Sequence, residues 1–225
     1  MKSRVIRFAI ATTVALLRQA CGQGFVNLDF ESATIAPTPV GGHIFPADPA
    51  QAFPGWVVGG PNTTVAYNAE SIGGPMVSLI GPAFPNYFGY ASLQGSYSVQ
   101  LYYFSAYGVP TLSQTGKVPV DARSINFLVR PDQDDGVVTL NGVAISLVAI
   151  GGGRLAGDVT SFAGTVAQLK FSTVDIPFYP DKRFYFDDIQ FSPTPIPEPT
   201  NLSLIALCIA LFGWRATRKG RPVVN

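Results

Sequence analysis

Between residues 25 and 192 the chain never sustains a helical apolar repeat; β-branched and aromatic residues come in short runs, each closed by Gly, Pro, Asn or Asp. That rhythm excludes a helical body. It is the pattern of an all-β sandwich, where strands are short and turn residues recur after each one. The runs predict strands at 25–30, 55–58, 64–67, 76–80, 97–104, 117–119, 123–129, 136–140, 143–150, 165–173 and 183–191. Asn141-Gly142, between VVTL and VAISLV, is a two-residue hairpin signal, because a type I′ turn needs two residues that tolerate positive φ. Asp134-Asp135-Gly136 predicts a further turn. Helix-start chemistry occurs at Asp158, which is placed to cap a single turn that Gly164 ends.

The two ends depart from this rhythm. Lys2, Arg4 and Arg7 precede an apolar run at 8–17, and small residues follow at Ala20, Gly22 and Gly24. This is the layout of a signal peptide over 1–24, a substrate for signal peptidase and too short to span a bilayer. Lipid attachment at Cys21 is a competing reading, but Arg18 stands where a Leu is wanted. At the other end a Pro-rich stretch, 193–200, favours extended backbone that cannot join a sheet. An apolar segment at 201–214 follows, then a basic tail, 215–225, with Arg215, Arg218, Lys219 and Arg221. As a helix the apolar segment covers only about 20 Å, so it spans a membrane by recruiting its flanks, with the cations held on the cytoplasmic side. The alternative is a buried terminal helix, which leaves the all-round apolar surface and the cation cluster unexplained.

In that order, Pro197-Glu198-Pro199, the short apolar helix and the basic cluster resemble the PEP-CTERM sorting signal of Gram-negative bacteria. The resemblance covers 195–221; Cys208 within the apolar segment and the four residues after Arg221 are departures that leave the pattern intact. It implies processing by an exosortase and delivery to the cell envelope or the extracellular matrix, in company with exopolysaccharide.

Removing both ends leaves 168 residues (25–192), one domain by length and large enough for a core without staples. Cys21 and Cys208 both fall outside that body, so it holds no disulfide. Seven Lys and Arg face thirteen Asp and Glu there, a net charge of −6 that the near-neutral whole chain conceals. An acidic body argues against nucleic acid and anionic lipid as partners and is compatible with calcium or a neutral glycan. With His43 as the one histidine, the body cannot build a typical zinc site or a Cys–His pair.

A second resemblance spans most of the body. Asn27-Leu28-Asp29-Phe30-Glu31, Phe53-Pro54-Gly55-Trp56, the run from Asp158 through Phe162-Ala163-Gly164 to Leu169-Lys170-Phe171, and Phe186-Asp187-Asp188-Ile189-Gln190-Phe191 are similar to the galactose-binding-like jelly roll. That likeness implies a jelly-roll β-sandwich in which Glu31, Asp187 and Asp188 share a structural Ca2+, an ion that accepts six to eight hard oxygens. Strand alternation places Asp187 with Ile189 and Phe191 on one face. The plainer reading is that these carboxylates are solvated or accept backbone N–H groups. Asp132-Gln-Asp-Asp-Gly136 has oxygens at alternate positions but lacks the spaced Glu of a calcium loop, and reads as a solvated turn. Tyr87, Tyr90, Tyr102 and Tyr103, within a larger aromatic group, offer stacking platforms for sugar rings, against ordinary core packing as the alternative. Trp56 reads as a core anchor.

The expected function is a non-catalytic exported protein that associates with extracellular polysaccharide or envelope components. The alternatives are a secreted glycan-active hydrolase run by a carboxylate pair and a purely structural or adhesive matrix protein.

Overall fold

The computed structural model describes residues 24–35, 45–82, 91–104, 108–175 and 181–196. The chain divides into two compact units, Met1–Pro195 and Ile196–Asn225, and the described residues belong to the first apart from Ile196. Most of the expected leader, His43, Tyr87, Tyr90, the motif Pro197-Glu198-Pro199, the apolar segment 201–214 and Arg215, Arg218, Lys219 and Arg221 lie outside the described residues. Among the described residues no helix is long and apolar enough to cross a membrane.

The body is all-β, with two sheets. Its elements run β1 Phe45–Pro46, α1 Pro49–Ala52, β2 Val57–Gly59, β3 Thr64–Tyr67, β4 Met76–Ile80, β5 Ser98–Phe104, β6 Thr111–Lys117 and β7 Ser124–Asp134. They continue with β8 Gly136–Leu140, β9 Val143–Ala144, β10 Leu147–Gly151, β11 Arg154–Asp158, a 3-10 turn Thr160–Phe162, β12 Val166–Thr173 and β13 Asp181–Ser192. An eight-stranded sheet has the order β1-β3-β4-β5-β13-β7-β11-β10, and a five-stranded sheet the order β2-β6-β12-β8-β9. All neighbours are antiparallel except β3 and β4. From β6 onward the chain passes repeatedly between the two sheets, as a sandwich requires.

The sheets meet through their aromatics. On β12, Ala167, Leu169, Phe171 and Thr173 alternate inward, while Val166 and Gln168 face out. Phe171 stacks on Phe186 of β13 with ring centroids 4.4 Å apart, and Phe127, Phe184, Phe30 and Trp56 pack around that pair. Aromatic burial of this extent contributes a large apolar area to holding the two layers together. Trp56 is a core anchor, its Nε1 donating to the Asn27 carbonyl at 3.0 Å.

The strands at 64–67, 76–80 and 136–140 lie where the sequence predicts, and Asn141 and Gly142 form the hairpin turn with φ of 49° and 79°. Four expectations are corrected. Residues 25–30 form a looped segment, because Asn27 and Phe30 take φ of 50° and 59°; that turn drives the Phe30 ring into the core. The strand expected at 117–119 lies earlier, over Thr111–Lys117, since Pro119 has no N–H for a ladder and begins a turn that Ala122 closes. The run 143–150 splits between the two sheets, β9 pairing with β8 and β10 with β11. Gly157 permits this crossing, because a Cβ there would overlap Ile145. The acidic stretch 132–136 is the end of β7 and a corner into β8 across sheets, with Asp132 on Arg130 at 2.8 Å and Asp135 on Lys182 at 3.1 Å.

Two elements have little sequence signal: β11, with the weak strand formers Arg-Leu-Ala-Gly-Asp, and α1, capped by Asp48 through Ala50 and Gln51 N–H. Asp158 accepts from Thr160 N–H at 2.8 Å ahead of the 3-10 turn, and Gly164 after it has a φ of 74°.

Candidate functional site

β5 is buried on both faces. Val99 and Leu101 enter the main core, so by alternation Ser98, Gln100 and Tyr102 face the outside of the large sheet. Register sets Gln100 between Ser78 of β4 and Tyr185 of β13, and Tyr102 between Met76 and Arg183. An outward sheet face normally meets water; here Ser78, Ser98 and Gln100 are fully buried, so this polar row has been covered by the chain itself.

At one end of the row two carboxylates hold the segment 91–98. Asp187 Oδ2 accepts from Gln94 N–H at 3.0 Å and from Ser98 Oγ at 2.8 Å, and its Oδ1 from Asp188 N–H at 2.6 Å. Glu31 Oε1 accepts from Ser96 N–H at 2.7 Å and Tyr97 N–H at 3.0 Å. Between those anchors Gly95 sits at a φ of 56°, and a Cβ on it would overlap the Glu31 carboxylate. Tyr185 Oη donates to the Ala91 carbonyl at 2.9 Å, closing the segment over β13.

The placement of Asp187 corrects the simple alternation. β13 pairs Asp187 with Leu128 and Gln190 with Asn126, so Asp188 and Ile189 together oppose Phe127. Asp188 takes a φ of 45° in this bulge. The extra residue shifts the phase by one: Phe186 and Ile189 both enter the core and Asp187 lies on the opposite face. Burial pushes the Asp187 carboxyl up to about 7, opposed by the Ser98, Asp188 and Gln94 hydrogen bonds and reinforced by the Asp188 charge. Asp188 itself is bound to Arg154 at 2.8 Å. Burial raises its carboxyl, but the Gln190 amide and the Arg154 guanidinium outweigh that and hold it below the usual range.

As a set, Glu31, Asp187 and Asp188 do not fit one calcium ion. Asp187 accepts from Gln94 N–H, Ser98 Oγ and Asp188 N–H, Glu31 Oε1 accepts from Ser96 and Tyr97 N–H, and Asp188 is paired with Arg154. Among the described residues no group of three or more His, Cys, Asp or Glu is arranged to hold a metal.

The other end of the row is a polar cluster absent from the sequence reading. Gln100 Nε2 donates to the Glu70 carbonyl at 3.2 Å, while Gln100 Oε1 and Glu70 Oε1 are both buried with no hydrogen-bond donor from the protein. Burial raises the Glu70 carboxyl, and the charges of Arg183 and Arg130 work against that rise. Tyr102 Oη donates to Asp181 Oδ1 at 2.7 Å, and the Arg183 guanidinium lies 5.4 Å from the centre of the Tyr102 ring. The rim is the Ser71–Ile72–Gly73–Gly74 loop, where both glycines have open space where a Cβ would stand.

Tyr102 and Tyr103 are 2% and 5% exposed, so neither presents a ring face to solvent. Tyr102 packs against Phe104 and under the Arg183 guanidinium, and Tyr103, on the opposite face, donates to Asp175 at 3.0 Å. As stacking platforms they are covered; what Tyr102 contributes is one wall of the polar cluster. The available signal for that cluster was Gln100, a polar residue inside the otherwise apolar and aromatic run VQLYYF.

Chemically, the cluster combines cationic donors with two acceptors short of donors, which is the complement of a group carrying several hydroxyls.

No protein-family model and no curated protein matches this chain. Among solved structures it resembles the carbohydrate-binding module TmCBM61 in complex with β-1,4-galactotriose, at 14% identity and a TM-score of 0.37, covering 76% of this chain and 97% of that one. A likeness that loose assigns no residue of this chain a role.

Proposed function

We propose that the chain is an exported, envelope-sorted, non-catalytic protein whose galactose-binding-like jelly roll associates with polysaccharide through the outer face of the large sheet. The observation that carries the binding reading is Glu70, a partly exposed residue at the margin of the covered row, whose Oε1 lacks a protein donor, with Gln100 Oε1 likewise unpaired behind it. A buried acceptor left unpaired costs about 1–3 kcal/mol, and a sugar hydroxyl supplies the missing donor to Glu70 Oε1 when the Ser71–Gly74 rim moves aside. Sorting rests on the sequence: Pro197-Glu198-Pro199, the apolar segment and the basic tail form the exosortase recognition signal.

The test is co-sedimentation of the full chain, solubilised in mild detergent, with neutral polysaccharides that include a β-1,4-galactan. Retention is expected for the parent and is expected to fall about tenfold, or about 1.4 kcal/mol, in Glu70→Gln and Gln100→Leu, with their melting temperatures close to the parent's. Equal retention by both variants, or none by the parent, overturns the binding reading. Release of reducing ends from the polysaccharide overturns the non-catalytic one.

A further inference from the structure

One side wall of the sandwich is built from a single uncharged segment. β9 ends the small sheet, β10 ends the large one, and only Ile145 and Ser146 separate them. The eighteen residues 136–153 contain no charge and no proline. Val143 and Ile150 stand 56% and 41% exposed along this wall.

Terminal strands are hazards, because their outer N–H and C=O groups template pairing with another chain; proteins blunt them with short length, proline or charge. The opposite margins follow that rule: β1 has two residues including Pro46, and β2 has three before Gly60-Pro61. β10 has five residues and none of these devices. Its one irregularity, between Ala149 and Gly151, lies at the turn end and leaves Leu147–Ala149 regular against β11. Among the described residues its outer edge has no strand partner.

We propose that this wall is a pairing surface for a second copy of the chain, with β10 of each copy joined antiparallel about a two-fold axis into one continuous sheet. Two features select a second copy as the occupant. An edge strand of any sequence can pair antiparallel with itself, so the interface is self-complementary without another sequence. The body also carries a net charge of −6, and a charge-free wall is where two such bodies approach without opposing like charges.

The test measures the mass of the full chain in detergent by sedimentation equilibrium for the parent, Ile150→Lys and Val120→Lys. The last changes a 75% exposed residue in the Pro119–Ala122 turn, away from β9 and β10, as a control. The parent is expected to be dimeric, Ile150→Lys to dissociate about tenfold more readily, and Val120→Lys to match the parent. Hydrogen exchange is expected to slow at the β10 amides as the parent dimer forms. A monomeric parent, a dimer indifferent to Ile150→Lys, or exchange at β10 unchanged by concentration overturns the proposal. Polysaccharide binding plays no part in any of these outcomes.

Discussion

Asp187 is a fully buried carboxylate with three donors and, among the described residues, no cationic partner, and those facts pull its protonation in opposite directions. Burial prevails, and the folded carboxyl is pushed up to about 7 from its ordinary value of 3.8. Between about pH 4 and 7 the native state therefore binds more protons than the unfolded chain, so this group's contribution to stability falls as pH rises and is lost above 7. The shift corresponds to roughly 4 kcal/mol. Asp187→Asn removes the ionisation and is expected to flatten the slope of unfolding free energy in that window, measured by urea titration at several pH values. An unchanged slope would mean that Asp187 does not titrate there. Gly95 makes a second prediction. With a φ of 56° and Glu31 against the site of a Cβ, Gly95→Ala is expected to cost about 2–3 kcal/mol. Part of that cost is the overlap with Glu31, so the loss should be less than additive with Glu31→Ala in a double-mutant cycle. Strict additivity would place the strain in the backbone alone.

Among the elements, β13 does most to position the site. Its bulge puts Asp187 over the outer face and turns Asp188 toward β11, where Arg154 Nη1 binds the carboxylate and Nη2 the Asp188 carbonyl at 2.7 Å. Both partners of that ion pair have only about a fifth of their side chains exposed. Arg154→Met should therefore destabilise by about 2 kcal/mol, because it strands a mostly buried carboxylate; a thermal shift of under a degree would contradict this. Elements with a strong local pattern were legible beforehand. VVTL-Asn-Gly-VA reads as a hairpin because two residues fix the turn, and MVSLI reads as a strand from composition alone. β11 was not, since Arg-Leu-Ala-Gly-Asp has little strand preference of its own and forms because it is hydrogen-bonded on both sides, to β7 and β10.

For the whole molecule, the proposed order of leader, body and tripartite sorting signal predicts directed export. Replacing Pro197, Glu198 and Pro199 together by Ala is expected to leave an uncleaved, membrane-retained precursor, seen by immunoblot of membrane and medium fractions. Normal processing of that variant would sink the sorting proposal while leaving the body's binding reading intact. Within the body, the sequence by itself determined what short-range chemistry controls: an all-β composition, the turn at Asn141-Gly142, and Trp56 as a core anchor. The tertiary structure alone decided the rest. It bonded Glu31 to Ser96, sixty-five residues away, shifted the phase of β13 at Asp188, split 143–150 between two sheets, and covered Gln100 and Tyr102. Alternation and turn preference act over a few residues, whereas a bulge, a sheet crossing or a buried outward face is set by what lies opposite in space, and no local pattern carries that information.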